Sequence, residues 1–576
     1  MKSSKTAKPK RAAAPVIAAA PAHQSYLWWY VVGFLITFFG LYEVYSPALN
    51  GPFLLDDSYL PYMLPNFFAM PLRNWIGEVR PVLMFSFWLN FKTSGNEVTF
   101  GYHVVNVILH FLNGALIYLI VRKALSWVET ERPYLEILAI FAGALFLLHP
   151  IQTESVTYVA SRSETLSVFF VLAAFAVFVY RKNSSVDVPT ALAALVLFGF
   201  AVLSKEHTGI LPAVFLLTDY YWNPGFTFEG IRRNWKLYAP VGIGAALGIA
   251  LAVRVLSHSS TAGFRMKDLT WYQYFFTQCR VIWDYLRLYL LPAGQNLDYD
   301  LPFSRNVFEH GAMVGLMALL AVSVLAWVYR KRFKLASYGW FTFLILLAPT
   351  SSFVPIRDPI AERRLYLPFI GLLFITVDFL RRWKTGRTTI IAVLSAVLVA
   401  EAALTYQRNQ LWASAIDLWK DTVAKSPNKV RPRFQLAFAY YQAQHCSEAV
   451  DEFAKAAKIE PPTFDLLIDW ALAYDCTGDA NQAIARLRQA AAINKSAHVY
   501  SQIGMEYGKQ GKYADALDAL ATAEQLNPRF AMTYVYRGNI YEVQHNAPAA
   551  AQQYRRALAA DPYNQPARDG LVRLGQ

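Results

Sequence analysis

Four groups of charged residues interrupt the apolar part of this chain, each at the end of a hydrophobic segment. The first group contains the carboxylate pair Asp56-Asp57 and, further on, Arg80. The other three groups also mix acids and bases: His149, Glu154, Arg162 and Glu164; Lys205, Glu206 and His207; Arg357, Asp358, Glu362, Arg363 and Arg364. An ionised side chain at mid-bilayer costs about 2.5–3.5 kcal/mol on insertion scales. We therefore expect these groups to face a shared hydrophilic cavity.

This mixture of charges suits the transfer of a sugar from a lipid-linked phosphate. The planar guanidinium of arginine matches phosphate oxygens, and lysine supplies a point charge. Because a phosphate leaves as an anion without being protonated, one carboxylate acting as general base on an acceptor hydroxyl would suffice. Asp57 or Asp56 is the candidate for this base, and desolvation would raise its pKa. In the mechanism that we predict from the sequence, Asp57 accepts the hydroxyl proton.

The same residues also have structural interpretations. The acidic pair could be a solvated loop pair or a helix cap. Arg162 or Lys205 could lie at the membrane interface with its charge in water, His149 could end a span, and Glu154 could cap the next helix. No metal-ligand spacing as specific as HExxH, no P-loop and no nucleophile elbow is present. The sequence therefore predicts no certain cofactor, and a divalent metal is compatible with the pattern without being indicated by it.

Composition and charge placement indicate a polytopic membrane protein. The chain has 576 residues, is 55% hydrophobic and carries a net charge of +14, and its basic residues fall in alternate loops, which is a topology signal rather than a nucleic-acid site. The basic loops and the N-terminus are predicted to be cytoplasmic and the acidic pair to be outside. About eleven spans are expected to start near Tyr26, Phe100, Tyr134, Thr165, Val188, Thr208, Leu237, His310, Leu335, Leu365 and Ile390.

One apolar segment is excluded from this count. Residues 271–291 carry Arg280, Asp284 and Arg287 at helical spacing, which favours an interfacial helix on the outer surface. The odd number of spans then places the C-terminus outside.

The C-terminal part repeats with a period typical of tetratricopeptide repeats. Pro427, Pro461, Pro528 and Pro562 recur at intervals of about 34 residues or a near multiple. Small and aromatic residues follow the same period, as expected for closely paired helices. Such a solenoid binds extended polypeptide on its concave surface; the alternative is a packing or oligomerisation module without a client.

The predicted fold is all-α, a transmembrane helix bundle followed by a repeat solenoid. We expect a disordered basic cytoplasmic tail over 1–25, a transmembrane domain over 26–406 with outer loops at 49–98 and 257–308, a connector helix over 407–429, four repeats over 430–565 and a tail over 566–576. Three cysteines give no disulfide framework. Cys446 and Cys476 lie in neighbouring repeats of an outside domain, and we expect two free thiols there rather than a bond.

Six sequence blocks, in order, resemble the transmembrane and tetratricopeptide-repeat O-mannosyltransferase family. The blocks are GPFLLDD at 51–57, the stretch from Arg80-Pro81 to Ser86-Phe87, YHVVNVILH at 102–110, HPIQTESV at 149–156 with Ser161-Arg162, Lys205-Glu206 before Gly209, and AERRLYLP at 361–368. One block alone would be weak, but six in order are specific. Together with the repeats, the resemblance covers nearly the whole chain.

The resemblance implies a GT-C glycosyltransferase fold, a polyprenyl-phosphate monosaccharide donor such as dolichyl or undecaprenyl phosphomannose, and inverting transfer to Ser or Thr hydroxyls. Carried over by position, it makes Asp56 and Asp57 catalytic. The predicted donor-phosphate contacts are Arg80, Lys205, Arg363 and Arg364, with His149, Glu154, Arg162, Glu206 and Glu362 as supporting polar residues. The chain departs from the family at His207, where Gln is usual, in its Ser-Arg-Ser-Glu sequence at 161–164, and in its short repeat array.

We predict an integral membrane glycosyltransferase acting on its outer face, with the bilayer, a polyprenyl-phosphate sugar and a protein acceptor as partners and no nucleic acid. Two alternatives remain: a GT-C transferase that modifies a lipid or envelope glycan, and a non-enzymatic membrane scaffold for an envelope or secretion complex. The basic tail and modest array favour a bacterial inner membrane with periplasmic repeats. An endoplasmic-reticulum membrane with a luminal site would have the same topology.

Overall fold

A computed structural model of the chain describes residues 27–576, apart from 61–62, 64–69, 78, 97, 257–262 and 265. The described residues form helices joined by loops and contain no strand, so the predicted all-α class is confirmed. The predicted cytoplasmic tail over 1–25 lies outside the described residues.

Helices α1 to α16 build the N-terminal part. Their bounds are α1 Leu27–Tyr45, α2 Leu72–Ile76, α3 Pro81–Ser94, α4 Phe100–Ser126, α5 Arg132–Leu148, α6 Thr153–Thr157, α7 Arg162–Val179, α8 Val188–Ser204, α9 Leu211–Trp222, α10 Glu229–Arg233, α11 Trp235–Leu256, α12 Trp271–Leu290, α13 Ala312–Val328, α14 Lys334–Leu347, α15 Phe369–Leu380 and α16 Arg387–Trp412.

Within the described residues, five helices are long and apolar enough to cross a membrane. They cover Val31–Ala48, Phe100–Ser126, Val159–Val179, Glu309–Val328 and Arg387–Trp412, and a sixth span results if α5 is joined to the turn that follows it across a 49° bend. All eleven predicted segments contain a helix, but α8, α14 and α15 are shorter apolar helices. The chain is a multi-pass membrane protein, and the number of about eleven spans is not confirmed.

Small residues bring the helices of this bundle close together. Gly339 of α14 faces Gly371 of α15, where a Cβ on either residue would lie 2.5–2.6 Å from the carbonyl oxygen of the other. The amphipathic segment forms α12, whose polar side chains reach a neighbouring loop: Tyr274 donates a hydrogen bond to the Thr350 carbonyl, and Gln278 donates one to the Pro359 carbonyl. That loop carries the fourth group of charged residues.

The charged groups lie on short helical turns at the ends of long helices. The acidic pair is on a 3₁₀ turn, Leu55–Tyr59, and Glu154 is on α6. A 3₁₀ turn after α8, Glu206–Ile210, directly follows Lys205. Another 3₁₀ turn before α15, Glu362–Leu365, carries Arg363 and Arg364.

Helices α17 to α26 build the C-terminal part, and α18 to α25 form four antiparallel pairs where four repeats are predicted. Their bounds are α17 Ala415–Lys425, α18 Val430–Gln442, α19 Cys446–Ile459, α20 Phe464–Cys476, α21 Ala480–Ile493, α22 Ala497–Lys509, α23 Tyr513–Leu526, α24 Ala531–Val543, α25 Ala547–Ala560 and α26 Gln565–Arg573. The expected tail over 566–576 is therefore largely helical. Gly570 of α26 packs against the Tyr554 ring of α25, so α26 covers the last repeat.

Cys446 and Cys476 form a disulfide, with their Cα atoms 5.8 Å apart. The expectation of two free thiols is therefore wrong. Cys446 begins α19 and Cys476 ends α20. Because neighbouring repeats stack in register, these two helix ends meet, and the bond joins the first and second repeats.

Candidate functional site

The two carboxylates of the acidic pair have different surroundings. Asp57 is 1% exposed, and its oxygens accept hydrogen bonds from the Leu54 and Ala160 backbone N–H groups at 2.9 and 2.7 Å. Burial raises the pKa of Asp57 to about 7, against the effect of the two N–H donors. Asp56 is exposed, and its backbone N–H donates to the Tyr158 hydroxyl at 2.8 Å. Asp57 and Tyr158 thus hold the turn, and Asp56 is the carboxylate that a substrate can reach.

Arg80 and Lys205 are each paired with a carboxylate. The Arg80 guanidinium makes two hydrogen bonds to Glu206, Nε to Oε1 at 2.9 Å and Nη2 to Oε2 at 2.8 Å. The Lys205 ammonium contacts Glu164 and lies 3.2 Å from the Ser163 hydroxyl. Both pairs join the end of α8 to other helices, so the cations are fixed in place.

Arg363 and Arg364 are adjacent in sequence but face different partners. Arg363 pairs through its guanidinium with Glu154, and its backbone N–H donates to the same carboxylate at 3.0 Å. The Arg364 guanidinium donates to the Tyr274 hydroxyl at 3.1 Å and to the Asp358 carbonyl at 2.7 Å. Among the described residues no carboxylate forms an ion pair with Arg364. Its contacts are with α12 and its own loop.

The paired cations belong to a single region of charge. Burial lowers the pKa of Lys205, the nearby charges of Arg80 and Arg363 lower it further, and Glu164 opposes them. We name Arg80, Glu154, Glu164, Lys205, Glu206 and Arg363 the outer charge cluster. The charge of Asp56 in turn acts on Arg80, so the exposed carboxylate is within electrostatic range of that cation. Arg80, Lys205 and Arg363, three of the four predicted cations, are thus within electrostatic range of one another, and Asp56 is within range of Arg80.

His207 also contacts this cluster. Its Nε2 lies 3.5 Å from Glu164 Oε2, and burial lowers its pKa. Among the residues that the structure describes, no group of three or more His, Cys, Asp and Glu side chains is placed to hold a metal ion.

His149 and Arg162 have structural surroundings. His149 is 1% exposed; its Nδ1 accepts from the Ile151 N–H, so Nε2 carries the proton and donates to the Tyr289 carbonyl at 2.9 Å. Arg162 is fully buried and donates to the side-chain oxygens of Asn106 and Asn90 at 2.9 and 2.7 Å. These bonds tie α7 to α4 and α3. Neither side chain is open to a substrate.

Glu362 anchors a loop beneath the Glu362–Leu365 turn. Its carboxylate is 1% exposed and accepts hydrogen bonds from the Gln295 side chain, the Asn296 backbone and the Tyr299 hydroxyl at 2.7, 2.7 and 2.6 Å. Burial raises the pKa of this carboxyl. Its role is to position the turn that carries Arg363.

Tyr158 is the residue at this site that sequence reasoning missed. It lies between the HPIQTESV block and Arg162, and its hydroxyl accepts a hydrogen bond from the Asp56 backbone N–H in the acidic turn. Nothing in its local sequence distinguishes it from the other 33 tyrosines of the chain. The nearest signal is its position between two matched blocks.

No protein-family model matches the chain, but curated proteins match over most of its length. Protein O-mannosyl-transferase F38B6.6 of Caenorhabditis elegans is 23% identical over 426 residues, which cover 73% of this chain and 59% of the relative. Protein O-mannosyl-transferase TMTC3 of Mus musculus is 22% identical over 544 residues, which cover 84% of this chain and 57% of the relative. The curated relatives of this chain are protein O-mannosyl-transferases. The resemblance inferred from the six blocks is thus confirmed, and the chain spans 57–59% of the length of these O-mannosyl-transferase relatives.

Solved structures of TPR proteins match 26–31% of the chain. A thermophilic TPR protein of Thermus thermophilus, TTC0263, is 18% identical with a TM-score of 0.25 and covers 31% of this chain and 94% of its own. YrrB, a TPR protein with an unusual peptide-binding site, is 18% identical with a TM-score of 0.24, and the match covers 31% of this chain and 89% of YrrB. At such TM-scores, the repeat assignment rests on the four helix pairs rather than on these matches.

Proposed function

We propose that this chain is a membrane glycosyltransferase that moves a mannosyl group from a polyprenyl-phosphate donor to Ser or Thr hydroxyls of a protein. One observation carries the proposal: the exposed carboxylate of Asp56 lies on a turn held by hydrogen bonds, and its charge acts on Arg80, one of three cations that carboxylates hold in place. The names of the relatives, protein O-mannosyl-transferases, support mannose as the sugar and a protein as the acceptor.

In the proposed reaction, Asp56 is the general base. The acceptor hydroxyl oxygen attacks the anomeric carbon while the bond from that carbon to the phosphate oxygen breaks, and the hydroxyl proton passes to the Asp56 carboxylate. The polyprenyl phosphate leaves as an anion, so no general acid is needed. A single displacement of this kind inverts the anomeric centre. Asp57, whose oxygens are occupied by backbone N–H groups, holds Asp56 in place.

The leaving phosphate is stabilised by Arg80, Lys205 and Arg363. All three side chains are held by carboxylates, so their positions do not depend on the donor. Arg80 uses Nε and Nη2 for Glu206, and its Nη1 has no hydrogen-bond partner among the described residues. Preorganised donors of this kind stabilise developing charge without reorganisation. Arg364 is assigned to the loop and not to the donor, because its hydrogen bonds are with Tyr274 and carbonyl groups.

We further propose that the site and the repeats lie outside the cytoplasm, in the periplasm of a bacterial inner membrane. The Cys446–Cys476 disulfide supports this side, because such bonds persist in oxidising compartments. The repeats then present the acceptor protein to the acidic turn.

The test is glycopeptide analysis combined with a labelled donor. Wild-type protein, Asp56→Asn and the control Asp268→Asn, an exposed outer-loop acid, would be reconstituted in lipid nanodiscs with polyprenyl-phosphate [¹⁴C]mannose and an envelope-protein extract. We expect hexose on Ser or Thr with wild type and with the control, and none with Asp56→Asn. Label that enters only lipid or glycan fractions would support that class of acceptor instead. Wild-type protein that neither transfers nor hydrolyses the donor would support the scaffold alternative.

A further inference from the structure

The first repeat is fixed to the outer loops of the membrane domain by a buried carboxylate. Asp298 is 3% exposed and accepts two hydrogen bonds from the Arg431 guanidinium, both at 2.6 Å. The Lys429 ammonium contacts the same carboxylate. Arg431 Nη2 also lies 2.7 Å from Asp358 Oδ1. Arg431, the second residue of α18, thus bridges two acidic residues from separate loops.

Both loops lead from Arg431 to the Glu362–Leu365 turn. In the first, the Asp358 carbonyl accepts a hydrogen bond from Arg364 at 2.7 Å. In the second, the chain next to Asp298 supplies the Asn296 N–H that donates to Glu362, the residue that precedes Arg363. A hydroxyl from the repeat side strengthens this second loop: the Ser426 Oγ donates to the Asp298 carbonyl at 2.7 Å.

A separate apolar contact joins the same repeat to the acidic turn. Leu436 and Ala439 of α18 belong to a buried cluster that also contains Leu54 and Tyr158, which contact Asp57 and Asp56. The other buried members of that cluster are Ala48, Leu297, Trp412, Leu418 and Trp419. This contact holds the repeat in place without the Arg431 ion pairs. Loss of those pairs should therefore loosen only the loops that they connect, and the repeats should stay docked on the membrane domain.

We propose that Arg431 is a positioning residue for the Glu362–Leu365 turn, so that docking of the first repeat sets the position of Arg363 in the outer charge cluster. The role given to Arg363 as a donor contact rests on the proposed function, whereas the mechanical link does not. Reacting groups that are displaced by about 1 Å by a remote substitution can lose on the order of a hundredfold in rate. Because Glu154 still holds Arg363, a loop that relaxes after loss of Arg431 should displace Arg363 by less than this and weaken donor binding more than it slows the chemical step.

Arg433 provides a matched control on the same helix. It lies two residues further along α18 and pairs with Glu452 of α19 at 3.2 Å, inside the first repeat. Arg431→Gln and Arg433→Gln therefore remove one positive charge each from neighbouring positions. Only the first breaks contact with the membrane domain. Asp358→Asn provides a second, milder variant, because it leaves the Asp298 pairs intact.

The experiment measures hydrogen–deuterium exchange and donor kinetics on the full chain in lipid nanodiscs. In Arg431→Gln we expect faster amide exchange over 357–366, unchanged exchange in the repeats and a rise of about tenfold in donor KM with a smaller change in kcat. Asp358→Asn should shift the same quantities in the same direction, and the double variant should add little, whereas Arg433→Gln should change neither.

Unchanged exchange over 357–366 in both Arg431→Gln and Asp358→Asn would overturn the proposal, as would an unchanged donor KM in an active Arg431→Gln protein. If exchange rises in these two variants while wild-type protein transfers no mannose, the mechanical link stands and the proposed function fails.

Discussion

Arg80 and Glu206 form a two-point ion pair between positions 126 residues apart, with both carboxylate oxygens engaged by one guanidinium at 2.9 and 2.8 Å. Their side chains remain 37% and 46% exposed. An exposed ion pair contributes little to stability, with a median near 0–1 kcal/mol. The value of this pair is therefore in orientation, because two hydrogen bonds fix the plane of the guanidinium while Nη1 has no hydrogen-bond partner among the described residues.

Arg80→Lys should reduce donor binding although it keeps the charge. Lysine has no planar fork and cannot hold Glu206 and a phosphate together. We expect donor KM to rise by about tenfold, since hydrogen bonds to charged groups are worth about 1.5–3 kcal/mol. Arg73→Lys, at an exposed position on α2, is the control. Steady-state kinetics with labelled donor measure both variants, and equal KM values for the two would contradict the assignment of Arg80.

Asp57→Asn should change the pH dependence of stability. The pKa of Asp57 is raised to about 7 by burial, from 3.8, so the folded protein retains a proton that the unfolded chain loses. Stability from this group is fully present below about pH 4 and is lost as pH rises to about 7. The thermal unfolding midpoint, measured in nanodiscs between pH 4 and 8, should therefore fall more steeply with rising pH for wild type than for Asp57→Asn. Asp56→Asn should keep the wild-type slope, and parallel curves for all three proteins would disprove this account.

Lys205→Met should destabilise the protein more than loss of a surface ion pair would, although the Lys205 side chain is 17% exposed. Its partner Glu164 is 5% exposed, and removal of one member of a buried ion pair costs about 3–5 kcal/mol because the other charge stays buried. Glu164→Gln in the same chain should restore most of the loss in thermal midpoint. A double variant that is as unstable as the sum of the two single variants would show that the pair does not interact.

Cys446→Ser should loosen the first two repeats without affecting the membrane domain. A bond that spans 30 residues stabilises by about 3–4 kcal/mol in the chain-entropy description. We expect faster amide exchange in α19 and α20 and unchanged exchange in α4 and α7. In intact cells, a maleimide reagent should label the pair only after reduction, with Cys279→Ser as background. Labelling without reduction would contradict the bond.

Periodic and local patterns were readable from the sequence. The four helix pairs follow from the spacing of small residues such as Gly538, which packs against Tyr554 of the paired helix. The charged groups were expected to face a common cavity; Arg80, Lys205 and Arg363 lie within electrostatic range of one another, and the shared cavity stays a prediction. The number of spans was not readable in the same way, because several of the apolar helices are too short to identify as spans by length.

Long-range pairing was not readable from the sequence. Asp56 and Asp57 are the same residue type at adjacent positions. Their different surroundings come from the Ala160 N–H group, which lies 103 residues from Asp57 in sequence and donates to its carboxylate. Arg162 was assigned to the site or the interface, yet it is buried on Asn90 and Asn106. Each of those two amides has apolar neighbours in its helix, which indicated buried polar groups. The sequence did not indicate that Arg162 is the cation that they bind.

Helix α16 runs without a break for 26 residues, Arg387–Trp412, and only two residues separate it from α17. At 1.5 Å per residue it is about 39 Å long. It joins the membrane domain to the repeats as a continuous, stiff helix. A flexible tether would give a broad spread of distances. An acceptor segment held by the repeats would instead sit at one height above the acidic turn, so modified hydroxyls should cluster within a narrow interval of sequence counted from the held segment.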